Sequence, residues 1–318
     1  MAAARRTVGG GGNKLSAMPR VSVVVRTKDR SVFLRRALAD IAAQTFTDWD
    51  VVVVNDGGDG AVVRSVAADS PSASRVTVID SQAPGGRCAA ANAGIRVATG
   101  EYVVLHDDDD LWHPDFLART TAALDASPAD AGVMVETEIV YERADGAGWV
   151  QTHRAPYWQG MTAVSFTALL EVNRAVPISF LYRRALHDEL GPYDETLDTV
   201  EDWDFYLRVT AKYPLVFLGG TPLAFWTQRP AATGADGNSM FELASQHERD
   251  DLAVRDRALR EWVIENGPGL PLYIASVEKR IRADFAAALE HQTERFVSEV
   301  YARHPIWRRL AWLRRRRS

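Results

Sequence analysis

The chain has 318 residues, of which 47% are hydrophobic and 25% are charged, a composition typical of a globular protein that buries its own core. The single cysteine, Cys88, excludes an intrachain disulfide framework and fits a reducing cytoplasm. The net charge is −5, but seven arginines lie from Arg303 onward, so the rest of the chain carries about −12, which argues against nucleic acid as a partner.

The first 18 residues are predicted to form a disordered leader. Arg5 and Arg6 are followed by four glycines at positions 9–12, where a secretory signal peptide would have an apolar region. No apolar run approaches the roughly 18 residues that a membrane-spanning helix needs. These features predict a cytoplasmic protein.

The next hundred residues alternate between short apolar runs rich in β-branched residues and longer segments of helical periodicity. Continuous apolar runs are typical of parallel strands that are buried on both faces. The pattern predicts an α/β fold with a mostly parallel central sheet flanked by helices. We expect strands at 21–25, 50–54, 76–80 and 101–105, and helices at 30–46, 61–69, 86–98 and 111–124.

The second half of the chain has a more mixed pattern. It predicts strands at 133–141 and 215–218, a helix at 203–213, and two long helices at 241–265 and 271–304 with a Gly- and Pro-rich break between them. We therefore expect three regions: the leader at 1–18, a nucleotide-binding domain at 19–235, and a C-terminal helical extension at 236–318.

Four consecutive aspartates, at 107–110, directly follow the predicted strand at 101–105. Carboxylates this close repel one another, and a hard cation such as Mg²⁺ or Mn²⁺ removes that penalty by binding carboxylates together with substrate phosphate oxygens. Open α/β sheets bind ligands at the carboxyl ends of their strands. Asp107, Asp108 and Asp109 are thus candidates for a metal–diphosphate site, and Asp110 for the cap of the next helix. The alternative is a solvated acidic turn.

Polar residues also follow the first two predicted strands. Asp56 is placed to accept a hydrogen bond from the imide of a pyrimidine base, and Thr27, Asp29 and Arg30 are placed to contact ribose and base. A tight loop and helix capping would explain the same residues.

A second acidic cluster, at 201–204, has a tryptophan inside it. A sugar hydroxyl becomes a good nucleophile only when a base removes its proton, so Asp202 is a candidate general base and Trp203 a candidate sugar-stacking ring. The alternative is a set of acids at a helix N-terminus.

Taken in order, these motifs resemble family 2 inverting glycosyltransferases of the GT-A fold. The resemblance covers about residues 19–230. The matching segments are VSVVVRTKDR at 21–30, VVVVNDGG at 51–58, ANAG at 91–94, ATGEYVVLHDDDDLW at 98–112, LGPYD at 190–194 and EDWD at 201–204.

The resemblance implies roles at the matching positions. Asp107–Asp109 would be the D-x-D motif, with Asp109 and Asp107 as ligands of Mn²⁺ or Mg²⁺ and Asp108 near the ribose. Asp202 would be the catalytic base, with Glu201 and Trp203 on the acceptor side. The donor nucleotide would be bound by Thr27, Lys28, Asp29, Arg30, Asp56, Arg87, Asp107, Asp108 and Arg229.

Three positions depart from the family pattern. Arg26 stands where the family usually has proline, Lys28 where it often has an aromatic residue, and His106 where it has an apolar one. Many relatives also have a histidine near the position of Arg229, so a third protein ligand for the metal is not evident, although Arg229 could reach the diphosphate.

The expected function is metal-dependent, inverting transfer of a sugar from a UDP- or dTDP-linked donor to a hydroxyl of a glycan or lipid-linked acceptor. The resemblance implies a setting in bacterial surface polysaccharide synthesis. One alternative is a sugar-1-phosphate nucleotidyltransferase, although the segment at 26–30 lacks the glycine-rich triphosphate loop. The other is a non-catalytic sugar-nucleotide-binding protein.

The last residues, 306–317, mix tryptophan and leucine with arginine. Such a segment favours the surface of an anionic membrane, so we expect peripheral contact at the inner face of the membrane. Packing of the tryptophans on the domain is the alternative. The long helices before this segment could pack on the domain or pair with another subunit in a homo-oligomer.

Overall fold

The computed structural model describes residues 18–81, 85–146, 148–238 and 244–303. The chain divides into two compact units between Leu252 and Ala253. The predicted leader and the arginine-rich tail from residue 304 onward lie outside the described residues, apart from Met18. The domain boundary expected at residue 235 stays a prediction.

A seven-stranded sheet forms the centre of the first unit. Its strand order is β10-β6-β9-β4-β1-β2-β3, and all neighbouring strands are parallel except β9, which is antiparallel to both β4 and β6. The strands are β1 (Val21–Thr27), β2 (Trp49–Asn55), β3 (Val76–Asp80), β4 (Tyr102–Asp107), β6 (Gly132–Val135), β9 (Phe180–Arg183) and β10 (Leu215–Leu218). The predicted mostly parallel α/β sheet is confirmed.

The central strand β1 shows why the sequence forms this sheet. All seven of its residues are buried, and Val23 lies opposite Val51 on one side and Val104 on the other. A strand covered on both faces must be apolar until it leaves the core. The same register places Arg26 opposite Asp107 and Thr27 opposite Asn55, so the polar ends of three strands meet at one edge.

Helices cover the sheet. They are α1 (Ser31–Ala42), α2 (Gly60–Ala68), α3 (Arg87–Val97), α4 (Phe116–Ala126), α5 (Phe166–Glu171), α6 (Leu186–Leu190) and α7 (Glu201–Thr210). Helix α3 approaches the sheet closely through Gly94, where a Cβ atom would lie 2.3 Å from Cγ1 of Val24. This close approach fixes the height of Arg87, at the start of α3, above the strand ends.

A second sheet was not predicted. Its order is β5-β11-β7-β8, with β7 parallel to β11 and the other pairs antiparallel. Its strands are β5 (Leu111–Trp112), β7 (Thr137–Asp145), β8 (Gly148–Pro156) and β11 (Ala224–Gln228).

The single strand predicted at 133–141 is therefore wrong. The segment splits at Glu136 into β6 of the first sheet and β7 of the second. The segment that it pairs with is also divided between the two sheets, because β6 pairs with β10 and β7 pairs with β11. The backbone of Glu136 bonds to both partners across the break, donating to Leu218 O at 2.8 Å and accepting from Leu223 N at 3.0 Å.

The helix predicted at 111–124 begins later than expected, at Phe116, because Leu111 and Trp112 pair with β11. Asp110 is consequently not a helix cap. It is buried, and its Oδ1 accepts a hydrogen bond from the backbone N–H of Thr227 at 2.7 Å. Its carboxylate therefore binds the acidic cluster to β11 of the second sheet.

Two long helices, α8 (Ala244–Asn266) and α9 (Gly269–Arg303), follow the sheets. The division between the two units falls inside α8. Within the described residues, no helix is both long and apolar enough to cross a membrane.

Candidate active site

The polar strand ends surround one cavity of about 990 Å³ in the first unit. The ends of β1, β2 and β4, the starts of α3 and α7, and β11 all contribute to its walls. Most residues expected in the site line it, namely Thr27, Lys28, Asp29, Arg30, Asp56, Arg87, Asp107, Asp108, Asp109, Glu201, Asp202 and Trp203. The sequence thus placed these residues at a common site although they are up to 176 positions apart.

Asp108 is the most enclosed member of the acidic motif. Its Oδ2 accepts a hydrogen bond from the hydroxyl of Thr27 at 2.7 Å, and its Oδ1 lies 3.0 Å from Nη1 of Arg30. Burial raises the pKa of Asp108 to about 6, and the charge of Arg30 and the hydrogen bond from Thr27 limit the rise. Both oxygens of this carboxylate are therefore engaged, one by Thr27 at the end of β1 and the other by Arg30 at the start of α1.

Asp107 and Asp109 each have one carboxylate oxygen that is bonded to other described residues. Oδ1 of Asp107 accepts from Nε and Nη2 of Arg26 at 2.9 and 2.6 Å. Oδ2 of Asp109 accepts from Arg30 at 2.9 Å and from Asn238 at 3.2 Å, and it also pairs with Arg229. Within the described ranges, no hydrogen bond reaches Oδ2 of Asp107 or Oδ1 of Asp109.

Those two oxygens suit a divalent cation. Mg²⁺ and Mn²⁺ are commonly bound by one or two carboxylates, with water and substrate phosphate filling the remaining positions. Across the part of the chain that the structure describes, no group of three His, Cys, Asp or Glu side chains forms a ready-made metal site. The remaining positions around a cation at Asp107 and Asp109 would be open to water and to the phosphate oxygens of a ligand.

Asp56 lies at the end of β2 and is held by the loop before α3. Its carboxylate accepts from the hydroxyl of Ser81 at 2.9 Å and from the backbone N–H of Gly86 at 2.9 and 3.1 Å. Gly85 allows this approach, because a Cβ atom there would lie 2.0 Å from Oδ1 of Asp56. The carboxylate is thus fixed in place on the cavity wall.

Asp29 does not cap α1. The N-cap residue of that helix is Arg30, whose side chain makes no capping hydrogen bond. Asp29 has a left-handed backbone with φ of 53°, and its Oδ1 accepts a hydrogen bond from the N–H of Asp59 at 3.0 Å. Asp29 therefore joins the loop after β1 to the loop after β2. Lys28 beside it is exposed on the cavity wall.

Asp202 faces the same cavity from the first turn of α7. Its Oδ2 accepts a hydrogen bond from Nδ2 of Asn173 at 3.1 Å. Burial, followed by repulsion from the charge of Glu201, raises the pKa of Asp202 to about 7. For Glu201, burial opposes ionisation, but Arg87 and Arg26 hold its pKa below the usual value. The pair therefore combines an ionised Glu201 with an Asp202 that can exchange a proton near neutral pH.

Comparison with known proteins assigns this arrangement to a family. A family model described as Glycosyl transferase family 2 matches residues 22–191, more than half of the chain. The chain belongs to glycosyl transferase family 2. The resemblance stated from the motifs is confirmed, and Asp202 lies beyond the matched range.

Relatives of this glycosyltransferase include an uncharacterised glycosyltransferase, YwdF, of Bacillus subtilis, which is 29% identical over 61% of this chain and 69% of its own. A PGL/p-HBAD biosynthesis glycosyltransferase of Mycobacterium bovis is 27% identical over 63% of this chain and 73% of its own.

Solved structures share the fold. Staphylococcus aureus TarS 1–349 in complex with UDP-GlcNAc has a TM-score of 0.54 and 18% identity, over 79% of this chain and 75% of its own. The mannosyltransferase PcManGT of Pyrobaculum calidifontis, in complex with GDP-Man and Mn²⁺, has a TM-score of 0.53 and 20% identity, over 93% of this chain and 84% of its own. In another TarS structure the match spans only 36% of the solved chain.

Arg26 is a buried arginine of this glycosyltransferase that was not expected in the site. Arg26 joins the acidic motif to α7, with Nη2 at 2.6 Å from Asp107 and Nη1 at 2.8 Å from Glu201. Its side chain is 5% exposed. The only sequence signal was a charged residue where relatives usually have proline, because the contact with Glu201 spans 175 positions.

Trp203 differs from the expectation of a sugar-stacking ring in this glycosyltransferase. It is 1% exposed, and its indole N–H donates to the carbonyl of Leu169 at 2.7 Å. The partly exposed rings on the cavity wall are instead Tyr157, Trp158 and Trp226. These rings could not be predicted from the sequence, because the segments that carry them contain no recognisable motif.

Arg229 is not on the cavity wall of this family member. It is fully buried behind Asp109, with Nη1 at 3.2 Å from Glu142 and its guanidinium 4.4 Å from the centroid of the Phe33 ring. Burial, together with the charges of Arg30 and Arg36, lowers the pKa of Arg229 to about 9. Its contacts orient Asp109.

Proposed function

We propose that the protein is a metal-dependent, inverting glycosyltransferase that moves a sugar from a UDP- or dTDP-linked donor to a hydroxyl group of a glycan or lipid-linked acceptor. The observation that carries the proposal is a single cavity lined both by Asp107 and Asp109, each with one carboxylate oxygen that no described residue bonds, and by Asp202, with its pKa of about 7. Donor binding and proton removal need these two kinds of group in one site.

The donor nucleotide lies along the ends of β1 and β2 in this proposal. Asp56 accepts from the base, and Asp108 accepts from a ribose hydroxyl through lone pairs that Thr27 and Arg30 leave available. Thr27, Lys28, Asp29, Arg30 and Arg87 complete the wall. The solved neighbours support this class of ligand, because TarS was solved with UDP-GlcNAc and PcManGT with GDP-Man.

Mn²⁺ or Mg²⁺ would be held by Asp107 and Asp109. When bound, the ion would supply positive charge to the diphosphate that leaves the sugar. The protein contributes the placement of the two carboxylates, with Arg26 holding Asp107 and with Arg30, Asn238 and Arg229 holding Asp109. The Mn²⁺ in the PcManGT complex supports a divalent ion in this fold.

Asp202 takes the proton of the acceptor hydroxyl as that oxygen attacks the anomeric carbon from the side opposite the diphosphate. A single displacement inverts the anomeric centre and needs no covalent intermediate on the enzyme. The hydrogen bond from Asn173 holds the carboxylate in place. A carboxylate with a pKa of about 7 is a stronger base than an ordinary aspartate and is still largely ionised slightly above neutral pH.

The cellular setting that we propose is synthesis of a bacterial surface glycan or glycolipid at the inner face of the membrane. The mycobacterial relative named for PGL/p-HBAD biosynthesis supports this class of product. The arginine-rich tail is proposed to contact anionic lipid, and the long helices to contact a second subunit.

A thermal-shift panel tests the proposal, with UDP-, dTDP- and GDP-linked sugars measured with and without Mn²⁺. The true donor should raise the melting temperature most, because a ligand stabilises the state that it binds. Asp202→Asn should keep this shift and lose sugar transfer. Transfer that survives in Asp202→Asn would remove Asp202 from its proposed role.

A further inference from the structure

Gln228 is a buried residue on the cavity wall. It lines the cavity and is 2% exposed. Among the described residues, no group makes a hydrogen bond to its Nε2 or its Oε1. Buried amides are nearly always paired, because leaving a donor and an acceptor unpaired costs free energy. A ligand that brings both an acceptor and a donor would satisfy this side chain.

The strand that carries Gln228 fixes the direction of its side chain. Side chains alternate between the two faces of a strand. Thr227 in β11 and Arg229, directly after its last residue, project to one side, where the Thr227 hydroxyl bonds to the carbonyl of Asp109 at 2.7 Å and Arg229 pairs with the Asp109 carboxylate. Trp226 and Gln228 project to the other face, and both line the cavity. Gln228 is thus the residue between Thr227 and Arg229, which both contact Asp109, a proposed ligand of the metal.

Aromatic rings continue from Gln228 towards the proposed base. The Tyr157 ring lies edge-on to that of Trp226 with centroids 5.4 Å apart, and Trp158 follows at 5.8 Å. The guanidinium of Arg174 covers the Trp158 ring at 4.1 Å, and the preceding residue, Asn173, donates to Asp202. The rings therefore line the cavity wall between Gln228, next to the proposed metal ligands, and the proposed base Asp202.

We propose that Gln228 and Trp226 form a subsite for a pyranose ring. The amide of Gln228 donates to one ring hydroxyl and accepts from another, while an aromatic face of the wall covers the C–H groups of the sugar. This inference rests on the proposed function. The sugar is either the one being transferred or a sugar of the acceptor, and both present the same chemistry to the amide.

The first test uses Gln228→Met, which keeps the length of the side chain and removes its polar atoms. The control is Gln44→Met, since Gln44 is also buried but its amide donates to His113 O at 3.0 Å and accepts from Leu117 N at 3.0 Å. Without ligand, Gln228→Met should melt at the wild-type temperature or above, and Gln44→Met below it. A Gln228→Met protein that is destabilised as much as Gln44→Met would overturn the proposal, because the amide would then have a structural partner.

The second test measures what a sugar adds to binding. In the donor arm, the affinities of UDP-glucose, UDP-GlcNAc and GDP-mannose are each compared with that of the bare nucleoside diphosphate, in the presence of Mn²⁺. In the acceptor arm, methyl glucoside, galactoside and mannoside are titrated into the protein saturated with UDP and Mn²⁺. Wild type should show a sugar contribution in one arm, and Gln228→Met should reduce it by about tenfold there, with UDP affinity unchanged.

The arm that changes identifies the source of the sugar. An unchanged sugar contribution in both arms overturns the subsite, and so does a wild-type protein that gains nothing from any of these sugars. The result is separate from the test of Asp202, because loss of transfer in Asp202→Asn depends on the base and not on the amide.

Discussion

The proposed base, Asp202, would act only when it is ionised, so its raised pKa should set the pH range of the reaction. Burial and the neighbouring charge of Glu201 raise that pKa to about 7. The ratio kcat/KM should therefore fall as the pH is lowered through about 7 and level off above it. An ordinary aspartate would give no such fall above about pH 5.

Glu201→Gln tests the cause of this shift. It removes the negative charge that repels ionised Asp202, so the fall in kcat/KM should move to lower pH. Glu189→Gln is the control, because Glu189 pairs with Lys212 on the surface. An acid limb that stays in place in Glu201→Gln would contradict the assignment of the limb to Asp202.

Arg26 should make a large contribution to stability because it neutralises two acids at once. Arg26→Met removes the cation that is hydrogen-bonded to both Asp107 and the buried Glu201, and removing one partner of a buried ion pair typically costs about 3–5 kcal/mol. Arg64→Met is the control, since Arg64 and Asp80 form an exposed pair, and exposed pairs contribute little to stability. Denaturant unfolding measures both losses, and equal losses would contradict the role of Arg26.

The residues that the sequence predicted share one property, which is a position in a local motif. Asp56, Asp107–Asp109 and Asp202 each sit in a short polar segment after a strand or before a helix. Arg26 and Gln228 were missed because their significance depends on what lies opposite them after folding. Arg26 matters because it bonds to Glu201. Gln228 matters because its buried amide has no hydrogen-bond partner among the described residues.

At the level of elements, the strands β1, β2, β3 and β4 were predictable because burial on both faces demands continuous apolar runs. The segments 111–124 and 133–141 were not, because their pairing with β11 and β10 is decided by partners about a hundred residues away. Local periodicity cannot show where a chain passes from one sheet to another. The aromatic rings on the cavity wall come from β11 and from the two residues directly after β8.

The packing of α3 on β1 provides a test at this scale. Gly94→Ala places a Cβ atom 2.3 Å from Val24 Cγ1, so α3 must move away from the sheet, at a typical cost of about 1–3 kcal/mol. Gly148→Ala is the control, because its Cβ atom would meet nothing closer than 3.9 Å. The free energy of unfolding measures both. A Gly94→Ala protein as stable as Gly148→Ala would show that the contact is not tight.

Considered as a whole, the first unit draws its site from segments between Arg26 and Asp251, so donor binding should stabilise the entire unit. A ligand at about a hundred times its Kd adds roughly 2.7 kcal/mol to the free energy of unfolding. Part of that gain should require Mn²⁺, because the proposed ion is held jointly by two carboxylates and the donor phosphates.

Asp109→Asn should remove the Mn²⁺-dependent part of the donor shift and leave the part that needs no metal. The amide keeps the shape of the side chain but lacks the charge and the second acceptor that the ion requires. Each variant is compared with its own ligand-free melting temperature, since the loss of pairing with Arg30 changes the baseline. Asp69→Asn, at an exposed acid, is the control and should retain both parts. A Mn²⁺-dependent shift that persists in Asp109→Asn would place the ion elsewhere, because the carboxylate of Asp109 could then not be one of its ligands.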